Sequence, residues 1–178
     1  MPDELSRRGG SAVATRRRAA GVVVRRATVK DLPAIVGLRM ALLGEEVRNP
    51  LFADPHPDAA RRAARLTRTE LAARDQVLLM AIRDHDVVGI LRCRAIRRSP
   101  LVADSRQAVV TTVYVVPSQR RSGVLRALLD AADRWCHRHR LAGMRLQCAL
   151  TNDAGRRAWA SLGFKAAEVL CLRPVPPA

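Results

Sequence analysis

Val113-Tyr-Val-Val-Pro117-Ser-Gln-Arg120-Arg-Ser-Gly123-Val-Leu-Arg126-Ala-Leu-Leu129 is a β-branched run that reaches a proline, crosses a basic loop and one glycine, and enters a helical pattern. That order points the unpaired N–H groups of a helix start at whatever lies beyond the strand end. Such a place suits a phosphate or pyrophosphate, because free amides and the positive end of the helix dipole both favour an anion. Arg120, Arg121 and Arg126 bring further positive charge. The same letters also describe an ordinary strand-turn-helix with a solvated arginine face, and a lone glycine does not decide between the two.

Outward from this stretch, the chain reads as one domain. Ala108–Val116 is nearly continuous Val and Thr, as expected of a central strand covered on both faces. Before it, Val77–Arg83 and Val87–Ile96 read as a hairpin around Asp84-His85-Asp86, and Ser99–Asp104 as a loop. Val22–Ala27 reads as the first strand. A helix with Leu32, Ile35, Leu38 and Leu42 on one face follows from about Lys30 to Glu45, with Thr28 as its cap. Asn49-Pro50 through His56-Pro57 is a break, and a second helix runs from about Asp58 to Arg74. After Gly123, Val124, Leu125, Leu128, Leu129, Ala132, Trp135 and Cys136 form one apolar stripe, and Gly143 is expected to end that helix. Met144–Ala149 reads as a strand, Asn152–Leu162 as a short helix closed by Gly163, and Lys165–Arg173 as a last strand. The order β-α-α-β-β-β-α-β-α-β is that of a mixed sheet with helices on both faces.

Composition excludes several classes. The chain has 178 residues, enough for one core. It is 48% hydrophobic but only 3% aromatic, so the core must be aliphatic. No apolar run reaches membrane-spanning length. Val22-Val-Val24 is too short for a signal-peptide core, so a cytoplasmic protein is expected. Residues 1–20 lack an apolar face and read as a disordered basic tail. The prolines at 174, 176 and 177 end the last element and leave 175–178 as a second tail.

The four cysteines, Cys93, Cys136, Cys148 and Cys171, each lie in an apolar run. None has C-x-x-C or His spacing, so all four read as reduced core residues with no metal site. The formal charge of +16 is almost entirely arginine, the lysines being Lys30 and Lys165 alone. That field attracts polyanions, whether nucleic acid or a phosphorylated cofactor, and repels a polycationic substrate such as a polyamine or aminoglycoside. Scattered arginines with few aromatics among them make nucleic acid the weaker of the two candidates.

Two motifs and the element order resemble the GCN5-related N-acetyltransferase (GNAT) superfamily, which moves an acetyl group from acetyl-CoA to an amine. The family's Arg/Gln-x-x-Gly-x-Gly/Ala is similar to Arg120-Arg121-Ser122-Gly123-Val124-Leu125, after Val115-Val116-Pro117. Its Asn-x-x-Ala-x-x-x-Tyr-x-x-x-Gly-Phe is similar to Asn152-Asp-Ala-Gly155-Arg-Arg-Ala-Trp159-Ala-Ser-Leu-Gly163-Phe164. Val24 to Ile35 also resembles the family's first strand and helix. The resemblance covers about Val22 to Arg173, within a domain taken as 21–174. It implies an α/β fold with a mixed, mostly antiparallel sheet, helices on both faces, and a splay between the fourth and fifth strands.

It also implies site residues. Tyr114, Val115 and Val116 would pair their backbone with the pantetheine arm of acetyl-CoA. The amides from Arg121 through Ser122, Gly123 and Val124 to Leu125 would hold the pyrophosphate, with Arg120 and Arg126 beside it, and Asn152 would lie near the pantetheine. The thioester would sit where the strands part, open to direct attack by a neutral amine. The chain departs from the pattern twice. Leu125 replaces a Gly/Ala in the phosphate loop. Trp159 stands where the family has its thiolate-protonating Tyr, and an indole N–H is no acid in this pH range. No carboxylate lies on Ala108–Val116. Candidate bases are Glu45, Glu46, His56, or a water held by Thr111, Thr112 or Gln147.

The reading is an acetyl-CoA-dependent N-acetyltransferase acting on a primary amine of a small molecule or peptide, as a monomer or homodimer. Leu125 and Trp159 motivate a second reading, a catalytically weak acyl-CoA sensor. Charge alone motivates a third, a nucleic-acid-binding protein.

Overall fold

Long β-branched runs make the centre of the sheet, and their alternation assigns its two faces. The computed structural model describes residues 21–102, 106–173 and 175, so the expected tail at 1–20 and part of the loop before β4 lie outside the described residues. Among the described residues, five strands are hydrogen-bonded in chain order: β1 (Val23–Arg26), β2 (Gln76–Arg83), β3 (Asp86–Arg97), β4 (Arg106–Val115) and β5 (Met144–Leu146). The first three pairings are antiparallel and β4–β5 is parallel. The described residues also form the helices α1 (Leu32–Glu45), α2 (Ala59–Ala72), α3 (Val124–Arg138) and α4 (Asp153–Ser161).

Side-chain parity on β2 shows the layering. Val77, Leu79 and Ala81 face α3, where they meet Leu128, Ala132 and Trp135 together with Leu91 and Cys93 of β3. Leu78 and Met80 face the other way, against Ile35 of α1, with Ile90 and Tyr114 beside them. Helices therefore cover both faces, as expected. Each buried Leu or Ile contributes about 1.5–3 kcal/mol against exposure, so the aliphatic core suffices without many aromatics.

Gly89 sets how closely α3 can lie. A Cβ there would be 3.0 Å from the Tyr114 carbonyl oxygen, 3.2 Å from Val124 Cγ1 and 3.3 Å from Leu128 Cδ1. Its missing side chain lets the first turn of α3 rest directly on β3 and β4. Asp84 and His85 both have positive φ, the mirror-image turn that suits the twist of a tight hairpin. Thr28 starts a 3-10 turn ahead of α1, its backbone N–H and hydroxyl both donating to the Asp31 carboxylate at 2.7 and 2.9 Å.

Three expectations need correction. Lys165–Arg173 is not a strand. It has no ladder partner among the described residues, and Val169, Leu170 and Leu172 are more than half exposed. A strand needs a neighbour to satisfy its amides, and β5 does not supply one because it stops at Leu146 rather than Ala149. The third correction is α3, which ends at Arg138. It stops short of Gly143, which was expected to end it, and Arg140 just beyond takes a left-handed φ of 53°.

Candidate active site

The end of β4 becomes the start of α3 through a tightly built loop. Pro117 opens a 3-10 turn, Arg121 and Gly123 take left-handed φ of 59° and 87°, and Val124 enters the core at 1% exposure. Only glycine takes such a φ without a Cβ penalty. Arg83, at the end of β2, pins this loop from behind. Its guanidinium donates to the Gln119 side chain, to Ser122 Oγ at 3.1 Å and to the Ser122 carbonyl at 3.4 Å, while Ser122 Oγ donates to the Gln119 carbonyl at 2.7 Å.

The first amides of α3 have no partners within the helix. No acidic residue lies in its first turn, and Arg120, Arg121 and Arg126 are exposed around it. Cations at the positive end of a helix are unfavourable by themselves, so the arrangement matches a loop built for an anion. Leu125 is half-buried and takes no part in the core that Val124 fills.

Arg120 and Glu45 form a clasp over β4. Glu45 accepts from Arg120 Nη2 at 2.6 and 2.7 Å and from the Tyr114 hydroxyl at 3.2 Å. The guanidinium lies 5.6 Å from the Tyr114 ring centroid, and Arg120 Nε donates to the Val115 carbonyl at 3.0 Å. Burial first, then the Glu45 charge, raises the Tyr114 hydroxyl above its ordinary pKa. Glu45 is thus engaged with Arg120 and Tyr114, beside the β4–α3 loop.

β4 and β5 pair only from Ala108 to Val110 against Met144 to Leu146. Thr112 then takes a left-handed φ of 50°, and the β3–β4 register skips between Ile90 and Arg92. This is a bulge, which breaks pairing and turns the strand away. Beyond it opens a cleft of about 2330 Å³, well above the ~300–1,000 Å³ of a typical ligand pocket. Its walls bring together Thr111, Thr112, Glu46, His56, Gln147, Asn152 and Trp159.

Glu46 accepts from Asn49 Nδ2 at 3.0 Å, and it acts across the cleft on the Cys148 thiol, which burial and then this charge push up. His56 is engaged at both nitrogens: Nδ1 accepts from the Asp58 amide at 3.0 Å, and Nε2 lies 2.8 Å from Arg62 Nη2. Asn152 uses Oδ1 to cap α4, accepting from the Gly155 amide at 2.8 Å. Trp159 is half-buried, its ring 5.4 Å from Phe164 in an edge-to-face contact.

Behind the cleft lies a buried ionic cluster. Glu70 pairs with Arg39 and, at 3.0 Å, with Arg92. Arg92 also donates to Gln76 Oε1 at 2.6 and 2.9 Å. Arg39, Glu70 and Gln76 are each more than nine-tenths buried.

The cysteines do not form one class. Cys93 and Cys136 are buried with their sulfurs 3.9 Å apart, whereas Cys148 is half-buried and Cys171 exposed, so the last two are not core residues. His137 is exposed, but His139 is half-buried and stacks on Trp135 at 4.3 Å. Among the described residues no cluster of metal ligands occurs, and no helix is long and apolar enough to cross a membrane.

Residues 43–164 match the sequence profile of the acetyltransferase (GNAT) family. The chain belongs to that family. An aminoglycoside N(6')-acetyltransferase of Acinetobacter haemolyticus is 28% identical over 125 residues, 69% of this chain and 83% of that protein. The fold of this acetyltransferase is shared by a predicted acetyltransferase of Clostridium acetobutylicum crystallised with acetyl-CoA, at TM-score 0.71 and 21% identity over 85% of this chain and 96% of that one. An aminoglycoside 6'-N-acetyltransferase of Acinetobacter baumannii matches at TM-score 0.71 and 19% identity, over 89% of this chain and all of that one.

Sequence reasoning missed Arg83 and the Arg39–Glu70–Arg92 cluster. Arg83 reads as a solvated charge beside a turn, and its loop partners lie 36 and 39 residues away. Nothing in the spacing of Arg39, Glu70 and Arg92 brings them together before the α1–α2 pair is packed on the sheet.

Proposed function

We propose that this acetyltransferase transfers an acetyl group from acetyl-CoA to a primary amine by direct attack on the thioester. The observation that carries the reading is the left-handed loop Arg121–Gly123, pinned by Arg83 and opening α3 at the end of β4, a few residues from the β4–β5 splay. The pyrophosphate would lie on the first amides of α3, with Arg120, Arg121 and Arg126 around it. The pantetheine would run along β4 from Val116 to Tyr114 and past Asn152, and Arg120 would exchange Glu45 for phosphate. The thioester would then reach the bulge at Thr112, where backbone groups released from the ladder polarise its carbonyl.

Glu46 is the better placed of the two neighbouring acids to take the amine's proton, directly or through water, since Glu45 is tied to Arg120. The cationic surroundings assist, because nearby like charges lower the pKa of an ammonium ion. Trp159 gives the departing thiolate a hydrogen bond at most, so its protonation falls to water. A missing general acid typically costs ~10²–10⁴-fold, which leaves a slow enzyme. That cost is the specific support for a second reading, an acyl-CoA-binding sensor.

Thiol release from acetyl-CoA, screened over amino acids, small amines, peptides and aminoglycosides, separates the readings. Amine-dependent release supports transfer. Stabilisation by acetyl-CoA without release from any amine supports the sensor, and no stabilisation at all rejects both.

A further inference from the structure

We propose that the acceptor is a primary amine that also bears a carboxylate, and that Arg39 receives this carboxylate at the floor of the cleft. The proposal rests on the transfer reading above and names its substrate class. Arg39 lines the cleft yet is only 7% exposed. Its guanidinium shares one carboxylate, Glu70, with Arg92, and its Nε has no partner within the protein. Around Arg92 the Glu70 and Asp75 carboxylates act against the Arg94 and Arg39 guanidiniums, so neither carboxylate is left over for the unpartnered Nε of Arg39, and a buried cation short of partners is costly. Desolvation is the largest influence on Arg92 and lowers its pKa, with Glu70 and then Asp75 opposing it.

Position rules out the cofactor's phosphates as the intended anion. Arg92 lies opposite Thr111, whereas Gly89, beside the phosphate loop, lies opposite Val115. Along β3, which carries no extra residue at the bulge, three residues separate the two levels by about 10 Å at ~3.3 Å per residue. The cluster therefore sits at the level of the splay, where acceptor and thioester meet. The wider cleft has the same sign, with seven Arg and Lys side chains in its lining against four carboxylates. A polycation such as an aminoglycoside would meet that field with the wrong charge. An amino acid or a peptide-like amine with a free carboxylate would bring the anion the cluster lacks, through a charge-assisted hydrogen bond.

The test uses charge-matched acceptors with the full-length protein and acetyl-CoA: glycine, glycinamide and ethylenediamine, then a dipeptide beside its C-terminal amide, with an aminoglycoside for contrast. The carboxylate member of each set should show the highest kcat/KM, ahead of its amide by on the order of tenfold or more, as a hydrogen bond to a charged group predicts. In Arg39→Gln the carboxylate-to-amide ratio should fall toward one. Should that variant not fold, the ratio in the unaltered protein still decides. An amide, diamine or aminoglycoside used as well as the carboxylate member overturns the inference and leaves the transfer reading standing, as does an undiminished ratio in Arg39→Gln. No thiol release with any amine, in a protein that acetyl-CoA stabilises, removes both.

Discussion

The two walls of the site are built differently. On the wall we assign to the donor, β3, β4 and α3 are locked by Gly89, by Val124 in the core and by Arg83 behind the loop. On the wall we assign to the acceptor, α4 buries no residue, and the segment after it leaves Val169 and Leu170 largely exposed. The donor wall offers backbone amides, whose directions are fixed by φ and ψ and by a few special residues. The acceptor wall offers side chains on lightly packed elements, which can be exchanged without disturbing the sheet. A constant donor and a variable acceptor need this division of labour.

The sharpest way to break the donor wall is Gly123→Val. It forces a β-branched residue into φ 87°, so the loop should no longer hold its amides in their present directions. The stabilisation that acetyl-CoA gives by mass action, about 2.7 kcal/mol at a hundred times Kd, should vanish from thermal melts. The strain itself should cost roughly 1–2 kcal/mol. Arg83→Met is milder. It removes the staple but no loop residue, so KM for acetyl-CoA should rise by about tenfold, the worth of one or two charged hydrogen bonds, with kcat little changed. An unaltered KM would show that the loop keeps its shape unaided.

Trp159→Tyr probes the acceptor wall. It restores a phenol able to donate a proton, and α4 has no buried residue, so a cavity should cost little. Steady-state kinetics should show kcat raised a few-fold, with KM for acetyl-CoA nearly constant, because proton donation acts mainly in the transition state. A lower kcat in a folded, cofactor-bound variant would place the donor elsewhere.

The smallest effect belongs to neither wall. Arg25, first, and then the Thr28 hydrogen bonds hold the Asp31 carboxyl below its usual value against the opposing effect of burial. A depressed carboxylate stabilises above its unfolded pKa of about 3.9 and loses that contribution as pH falls below it. Arg25 is 43% exposed, so Asp31→Asn should cost only about 1 kcal/mol near neutral pH. The gap from the unaltered protein should close as melts are taken below about pH 4.

The donor wall was the legible one. Val115-Val116-Pro117 and Gly123 announce a strand end, a turn and a helix start, each through its own backbone preference, and the element order from Val22 to Leu162 follows from the apolar pattern together with the turn, break and cap residues between its runs. Lys165–Arg173 misled because an apolar run with Val, Leu and Cys satisfies strand propensity, while the ladder it needs depends on where β5 stops. Glu45 and Arg120 meet across 75 residues. No local pattern foretells such a pair, and the same holds for Arg39 with Glu70. The bulge at Thr112 is also silent in sequence, since threonine is an ordinary strand residue and its left-handed backbone is imposed by the surrounding sheet.

The paired sulfurs of Cys93 and Cys136 turn the α3–β3 contact into a clock. Both thiols are sealed in the core, while Cys148 and Cys171 are open to solvent in part or whole. A thiol reagent therefore reads two populations in one trace. An early phase belongs to the accessible pair, and a late phase can begin only when the helix lifts from the sheet. In the regime where closing outruns labelling, the late rate measures the free energy of that opening. A cofactor seated on the first turn of α3 should lengthen the late phase and leave Cys171 as fast as before.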